Sequence, residues 1–126
     1  MKITHLDHLV LTVSDIDRTV KFYQSVMGMK KEVFDQGRVA LKFGNQKINL
    51  HQLDQELNPK AGNICVGSAD LCFIITTPIN KAQQHLENLG IQIIKGPIQR
   101  TGAISKLISL YFRDPDQNLL EISNYL

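Results

Sequence analysis

The strongest constraint on this chain is an internal repeat, because its second half follows the same pattern as its first. Each half opens with alternating polar and apolar residues, at Leu6–Val13 and again from Asp70 to Ile75, which predicts a strand. An offset of 62 residues carries His8 onto Asp70, so both halves place a polar residue at the same point of that strand. A module of this size cannot bury a sheet alone, so two modules with a shared core are expected.

The rest of each half predicts one helix and three strands. In the first half, Asp15 or Ser14 caps a helix that stops at Gly28. The strands that follow are bounded by turn residues, and they are Lys30–Phe34, Arg38–Phe43 and Lys47–Leu53. In the second half, Thr77-Pro78 opens the helix, and Gly90 ends it. The predicted fold class is therefore α+β, with two βαβββ modules that pair into a half-open barrel.

The predicted organisation is a single domain of 126 residues. The first module is expected at residues 1–53 and the second at residues 68–126. The stretch between them, 54–67, is polar, contains proline and glycine and lacks periodicity, so it is interpreted as a linker.

Composition excludes several classes of function. The net charge is only +2, and Lys and Arg are scattered, so the sequence does not indicate a nucleic-acid or membrane partner. No apolar run is long enough to span a bilayer, and the N-terminal residues lack the apolar core of a signal peptide, which predicts a cytoplasmic protein. Cys65 and Cys72 are seven residues apart and are expected to be free thiols packed as small apolar side chains.

Four polar side chains are predicted to lie on the faces opposite the helices. They are His8 and Asp70 on the first strands and His51 and Glu121 on the last strands, where an offset of 70 matches His51 to Glu121. Two imidazoles and two carboxylates form a ligand set suited to Zn, Ni, Mn or Fe(II). Taken singly, each has an ordinary alternative: a hydrogen-bonded histidine, an aspartate that caps the linker, or a glutamate paired with Arg113 or Lys106. Equivalent placement in both repeats favours a metal site.

Two stretches resemble the signatures of a known family. DHLVLTVSDIDRTVKFYQSVMGM and YFRDPDQNLLEIS are similar to those of the vicinal oxygen chelate superfamily of glyoxalases, extradiol dioxygenases and bleomycin resistance proteins. The likeness covers the whole chain and looks closest to the branch called glyoxalase domain-containing proteins.

The resemblance implies a divalent metal, Zn, Ni, Mn or Fe(II), in a central cleft. Its ligands would be His8, His51, Asp70 and Glu121, with Asp70 as the weakest match. In bacterial glyoxalase I the order of ligand types is His, Glu, His, Glu, whereas here the order is His, His, Asp, Glu. The family's chemistry also implies that a substrate binds through two neighbouring oxygens and that Glu121 is the base that removes a proton.

Three further residues are predicted to bind substrate. Gly96–Ser105 contains two glycines and a proline and is interpreted as a long loop, in which Arg100 would bind a carboxylate or phosphate. Asn49 and Tyr111 are expected to face the same cavity.

The predicted function is that of a metal-dependent glyoxalase-type enzyme, a lyase or isomerase, that acts on a small metabolite. The alternatives are an Fe(II) ring-cleaving dioxygenase, a metal-dependent resistance transferase and a protein that sequesters a ligand without catalysis. A homodimer is expected, and the modules could pair within one chain or across two chains.

Overall fold

The computed structural model describes residues 1–126 and has two helices and eight strands. They are β1 (His8–Val13), α1 (Ile16–Met27), β2 (Lys30–Phe34), β3 (Arg38–Phe43), β4 (Gln46–Gln52), β5 (Asp70–Ile74), α2 (Ile79–Asn88), β6 (Lys95–Thr101), β7 (Lys106–Arg113) and β8 (Leu119–Tyr125). The chain forms two compact units, Met1–Val66 (unit 1) and Gly67–Leu126 (unit 2). Each unit has the order βαβββ, which confirms the predicted fold class.

Each unit contains one open four-stranded sheet of the same topology. The strand order is β1-β4-β3-β2 in unit 1 and β5-β8-β7-β6 in unit 2. The first strand pairs in parallel with the last strand of its unit, and the other pairs are antiparallel. The helix between the first two strands therefore acts as the crossover that a parallel pair requires.

One face of each sheet packs against its helix. In unit 1 the buried residues on this side include Val13, Leu41 and Ile48 in the sheet and Val20 and Tyr23 in α1. In unit 2 they include Leu110, Phe112 and Leu120 in the sheet and Ala82 and Leu86 in α2. These residues fall on the predicted apolar faces, so the opposite face of each sheet carries the polar residues.

A side-chain amide on the last strand of each unit fixes the start of the helix. Gln52 donates from Nε2 to the carbonyl of Ser14 at 2.6 Å and accepts from the backbone N–H of Ile16 at 3.2 Å. Asn124 donates to the carbonyl of Ile75 at 2.8 Å and accepts from the N–H of Ile79 at 2.8 Å. These bonds satisfy groups that a helix start and a strand end leave unpaired. Gln52 and Asn124 are therefore equivalent positions, 72 residues apart.

The strand register corrects the predicted match between the repeats. Val10 pairs with Asn49, and Cys72, its equivalent at the offset of 62, pairs with Glu121. The offset in the last strand is therefore 72 and not 70, in agreement with the two amides. Asn49, rather than His51, occupies the position that corresponds to Glu121.

The predicted loop at Gly96–Ser105 is wrong, because most of it is strand β6. This edge strand pairs with β7 through a register shift between Lys95 and Ile98. Gly96 lies in that shift with a φ of +108°, and a Cβ there would collide with the carbonyl of Ser109. Proline and glycine are tolerated at an edge strand and a bulge, which explains their presence. Only residues 102–105 connect β6 to β7.

Two expectations from composition can be compared with the structure. Neither helix is long and apolar enough to cross a membrane. Neither Cys65 nor Cys72 forms a disulfide, as predicted, but both are exposed, so the prediction that they are packed was wrong.

The turn between β7 and β8 is held by buried polar side chains. Asp114 accepts hydrogen bonds from the backbone N–H groups of Asp116 and Asn118 at 2.9 and 3.0 Å and from Nδ2 of Asn118 at 2.8 Å. Oδ1 of Asn118 accepts from the N–H of Ala69 at 2.9 Å, just before β5. Asn118 is 1 % exposed. Its amide therefore joins the start of β5 to the start of β8.

Replacement of Asn118 by alanine should destabilise the protein by about 2–4 kcal/mol, because it removes the amide and leaves buried partners unsatisfied. Urea unfolding measures the difference. Asn80→Ala is the matched control, since Asn80 is exposed and its side chain bonds only to the adjacent Lys81 N–H at 3.0 Å. Equal effects of the two substitutions would contradict this account of the turn.

Candidate functional site

Unit 2 has a cavity on the polar face of its sheet. Its volume is about 370 Å³. The lining residues are Cys72, Ile74, Arg100, Thr101, Gly102, Ala103, Leu107, Tyr111, Glu121 and Tyr125. Three predicted site residues, Arg100, Tyr111 and Glu121, therefore lie around one cavity.

Arg100 is held in place by Tyr111. Its Nε donates to the phenolic oxygen of Tyr111 at 3.0 Å, and the guanidinium lies 5.5 Å from the centre of the tyrosine ring. Burial is the main cause that raises the pKa of Tyr111, the hydrogen bond from Arg100 opposes it, and the nearby Glu121 carboxylate raises the pKa further. The phenol therefore stays protonated at neutral pH and can donate its proton in a hydrogen bond.

Glu121 is joined to a group of buried hydroxyls. Ser123 Oγ donates to Glu121 Oε1 at 3.4 Å and lies 2.7 Å from Ser109 Oγ. Ser109 and Ser123 are fully buried. The Sγ of Cys72 is 3.5 Å from Ser123 Oγ. The hydrogen bond from Ser123 therefore orients the Glu121 carboxylate at the edge of the cavity.

Cys72 is not poised as a nucleophile. The residue is exposed as a whole, but partial burial of its sulfur is the main cause that raises the pKa of the thiol; the hydrogen bond with Ser123 opposes this shift, and the negative charge of Glu121 adds to it. A raised pKa leaves the thiol protonated at neutral pH, and the thiolate is the reactive form.

Asp70 is the first residue of β5 and is exposed. It pairs with Leu119, while Glu121 pairs with Cys72. The two carboxylates therefore lie on the same face of neighbouring strands, as diagonal neighbours two residues apart.

In unit 1, the ring of His8 is oriented by an adjacent carboxylate. Asp7 Oδ2 is 2.7 Å from Nδ1 of His8, and both side chains are exposed. The hydrogen bond to His8 is also the main cause that lowers the pKa of Asp7. A histidine that donates Nδ1–H to a carboxylate presents Nε2 to a metal, which is the usual arrangement at zinc sites. His8 therefore suits the metal role predicted for it.

His51 lies elsewhere on the same sheet face. It is 7 % exposed, and its Nε2 is buried without a hydrogen-bond partner. Burial is the main cause that lowers its pKa; the positive charges of Arg38 and Lys60 act in the same direction, and Glu56 opposes them. The imidazole is therefore neutral at neutral pH.

Asn49 is also buried on this face. It is 5 % exposed, and its Oδ1 has no hydrogen-bond partner. Asn49 and His51 are two residues apart on β4, so the polar face of this strand carries two buried unsatisfied atoms.

The register does not bring His8 and His51 together. His8 pairs with Lys47 and His51 pairs with Thr12, so the histidines are four positions apart along parallel strands, or roughly 13 Å at 3.3 Å per residue. Two imidazoles bind one ion only when their side chains converge, so the register within one chain does not support the prediction that both rings bind one ion. Within neither unit do three or more His, Cys, Asp or Glu side chains form a group that could hold a metal.

Comparison with known proteins identifies the family. The sequence profile of the Glyoxalase/Bleomycin resistance protein/Dioxygenase superfamily matches residues 5–122. The chain belongs to this superfamily. A virulence protein of Salmonella typhimurium is 54% identical over 126 residues, which cover 100% of this chain and 88% of that protein. A glyoxalase domain-containing protein of Mycosarcoma maydis is 51% identical over 125 residues, 99% of this chain and 70% of that protein.

Solved structures and more distant superfamily members agree with this assignment. An integron cassette protein from the mobile metagenome of V. cholerae has a TM-score of 0.98 at 59% identity and covers 100% of this chain and 98% of its own. A metallothiol transferase of Staphylococcus epidermidis is 28% identical over 123 residues, 97% of this chain and 82% of that protein.

Sequence reasoning missed several residues around the candidate site residues. Asp7 lies directly before His8 and was available as its partner. Ser109, Ser123 and Cys72 fall on the face of Glu121 by alternation, which is a signal that could have found them. Lys60 lies in the segment interpreted as a linker, and no periodicity indicates where its side chain packs.

The lowered pKa of His51 predicts a pH dependence of stability. Because the folded pKa is below the unfolded value of about 6.5, the unfolded state binds more protons between the two values, and the free energy of unfolding decreases as the pH falls below about 6.5. Urea unfolding at pH 7.5 and 5.5 should show this loss, and His51→Gln should reduce it. Each unit of pKa difference corresponds to about 1.4 kcal/mol. His5→Gln, at an exposed histidine, is the control, and an unchanged loss in His51→Gln would contradict the assignment.

Proposed function

We propose that the chain is a metal-dependent enzyme of the glyoxalase type, a lyase or isomerase acting on a small oxygenated metabolite. The observation that carries this proposal is the position of Glu121 at a cavity that also presents Arg100 and Tyr111, in a chain that the superfamily profile matches over residues 5–122. The three side chains supply a base, a cation and a neutral hydrogen-bond donor.

His8, Asp70 and Glu121 are kept as the candidate ligands of a divalent ion, as the superfamily resemblance implies. The Asp7–His8 hydrogen bond of 2.7 Å supports His8, since it leaves Nε2 for the ion. When bound, Zn, Ni, Mn or Fe(II) would polarise two neighbouring oxygens of the substrate. His51 is no longer part of this set, because the register separates it from His8.

The roles of the chain's own residues follow from their contacts. Glu121 removes a proton next to a substrate carbonyl, and the hydroxyl of Ser123 holds its carboxylate in place. Tyr111 donates a hydrogen bond to the oxygen that becomes negative. Arg100, positioned by Tyr111, binds a carboxylate or phosphate of the substrate. Asn49 is retained as a substrate-binding candidate in unit 1, since its buried Oδ1 lacks a partner.

Other activities of the superfamily are the alternatives. The 28% identical metallothiol transferase supports a metal-dependent resistance transferase. An Fe(II) ring-cleaving dioxygenase and a non-catalytic protein that sequesters a ligand are the other two. A screen of the metal-loaded protein for turnover separates these activities. The test compounds are 2-oxoaldehyde thiol adducts, 2-hydroxy and 2-oxo acids, and catechols with and without oxygen. Turnover of only a catechol, with Fe(II) and oxygen, indicates the dioxygenase; tight binding without turnover indicates sequestration.

The proposal includes a cytoplasmic homodimer. Cysteines that form no disulfide, as Cys65 and Cys72 do not, are typical of a reducing compartment and support this part of the proposal. Sedimentation at several protein concentrations tests the dimer.

Replacement of the proposed ligands should remove the metal. His8→Ala and Glu121→Gln should each weaken binding of Zn, Ni or Mn by tenfold or more, as loss of a ligand or its support does in other metal sites. Elemental analysis and metal titration measure occupancy. The controls are His5→Ala and Glu87→Gln, which change exposed residues of the same types. Full occupancy in both ligand variants would contradict the proposed site.

Arg100→Met should weaken binding of an anionic 2-oxo acid by about 1.5–3 kcal/mol, the range for a hydrogen bond to a charged group. An uncharged analogue should bind equally well to both proteins. Calorimetry measures both affinities. Lys95→Met changes an exposed cation of the same strand and is the control. An equal loss for the charged and uncharged ligands would indicate that Arg100 supports the strand rather than the substrate.

A further inference from the structure

Unit 1 contains a second cavity, beneath the segment that follows β4. Its volume is about 410 Å³. The lining residues are Val10, Thr12, His51, Pro59, Lys60, Ala61 and Ile64. All of them belong to unit 1, whereas the residues that line the cavity with Glu121 belong to unit 2.

The cavity has a buried polar group that lacks a partner. His51 is 93 % buried on its wall, and Nε2 makes no hydrogen bond. An unsatisfied buried polar atom costs about 1–3 kcal/mol. A buried polar atom without a partner in the protein therefore points to a ligand, an ion or a water that would satisfy it.

The charges around His51 favour an anion. Arg38 and Lys60 act on it as positive charges, and Glu56 acts as a negative charge. The three together leave one net positive charge beside a neutral imidazole. The Lys60 side chain is 42 % exposed and only 4.0 Å from Glu56 Oε2, a loose ion pair that leaves the ammonium accessible.

Most of the remaining wall is apolar. Val10, Pro59, Ala61 and Ile64 contribute hydrocarbon surface, and Thr12 is the only polar residue besides His51 and Lys60. An apolar cavity with a few convergent polar groups is the usual form of a small-molecule site.

We propose that this cavity binds a small monocarboxylate with an apolar body, whose carboxylate is received by Lys60 and by Nε2–H of His51. Lys60 meets the carboxylate first, because its ammonium is accessible, whereas Nε2 of His51 is closed off from solvent. The hydrocarbon part of the ligand then packs against Val10 and Ile64. This site goes beyond the proposed metalloenzyme activity and does not depend on it.

Hexanoate is a suitable probe, and 1-hexanol and inorganic phosphate are the matched comparisons. Titration of ¹⁵N-labelled protein should show saturable shifts at 59–64 and at the ring of His51 with hexanoate. The alcohol lacks the charge and phosphate lacks the apolar body, so both should bind at least tenfold more weakly. Equal binding of either comparison compound, or no saturation with hexanoate at millimolar concentrations, overturns the proposal.

Variants then test the residues. Lys60→Met and His51→Phe should each weaken hexanoate binding by tenfold or more, while Lys81→Met, an exposed lysine of α2, should leave it unchanged. Ala61→Phe should block the cavity. If His51→Phe does not fold, the two single variants Lys60→Met and Ala61→Phe decide the result. Unchanged binding in those two variants, or an equal loss in Lys81→Met, overturns the proposal.

A last comparison separates this site from the metal site. His8→Ala and a chelator should leave hexanoate binding unchanged. If metal binding is lost and hexanoate binding is retained, the result supports this site, and it does so even if the proposed enzyme function is wrong. Loss of hexanoate binding in His8→Ala overturns the separate site.

Discussion

The parallel pairing of the first and last strands is the interaction on which each unit depends. It joins residues that are 39 positions apart in unit 1, as His8 and Lys47 are, and 49 apart in unit 2, as Asp70 and Leu119 are. The amides of Gln52 and Asn124 extend this pairing to the start of each helix. The polar residues of the first and last strands share a face only because this pairing holds.

Alternation predicted the faces of the strands correctly but not their register. A strand repeats every two residues, so a shift of two leaves every side chain on its predicted face. The match of His51 to Glu121 contained such a shift, and nothing in the apolar pattern opposes it. The equivalent amides Gln52 and Asn124 carry the missing information, because each bonds to one specific place at the helix start. A fold can thus be predicted well while a site residue is displaced by one position along its face.

The predicted loop at 96–105 and the predicted linker at 54–67 show two other limits of reasoning from local composition. Pro97 and Gly96 indicate a loop in most contexts, yet β6 is an edge strand with a bulge, where both are compatible with pairing. Arg100 therefore lies on a strand, where Tyr111 holds its side chain, and not on a long loop. The polar stretch after β4 lacks periodicity, so the sequence does not reveal that it covers His51 and closes a cavity.

The hydrogen bond between Asn118 and Ala69 affects how unit 2 folds and how it unfolds locally. It joins residues far apart in sequence, so the start of β5 is protected only when the turn at 114–118 and the strands beside it are already in place. Contacts of this kind slow folding and make local fraying of the first strand unfavourable. The amide hydrogens by which β5 bonds to β8 should therefore exchange with solvent through opening of the unit rather than through fraying from the N-terminal end of the strand.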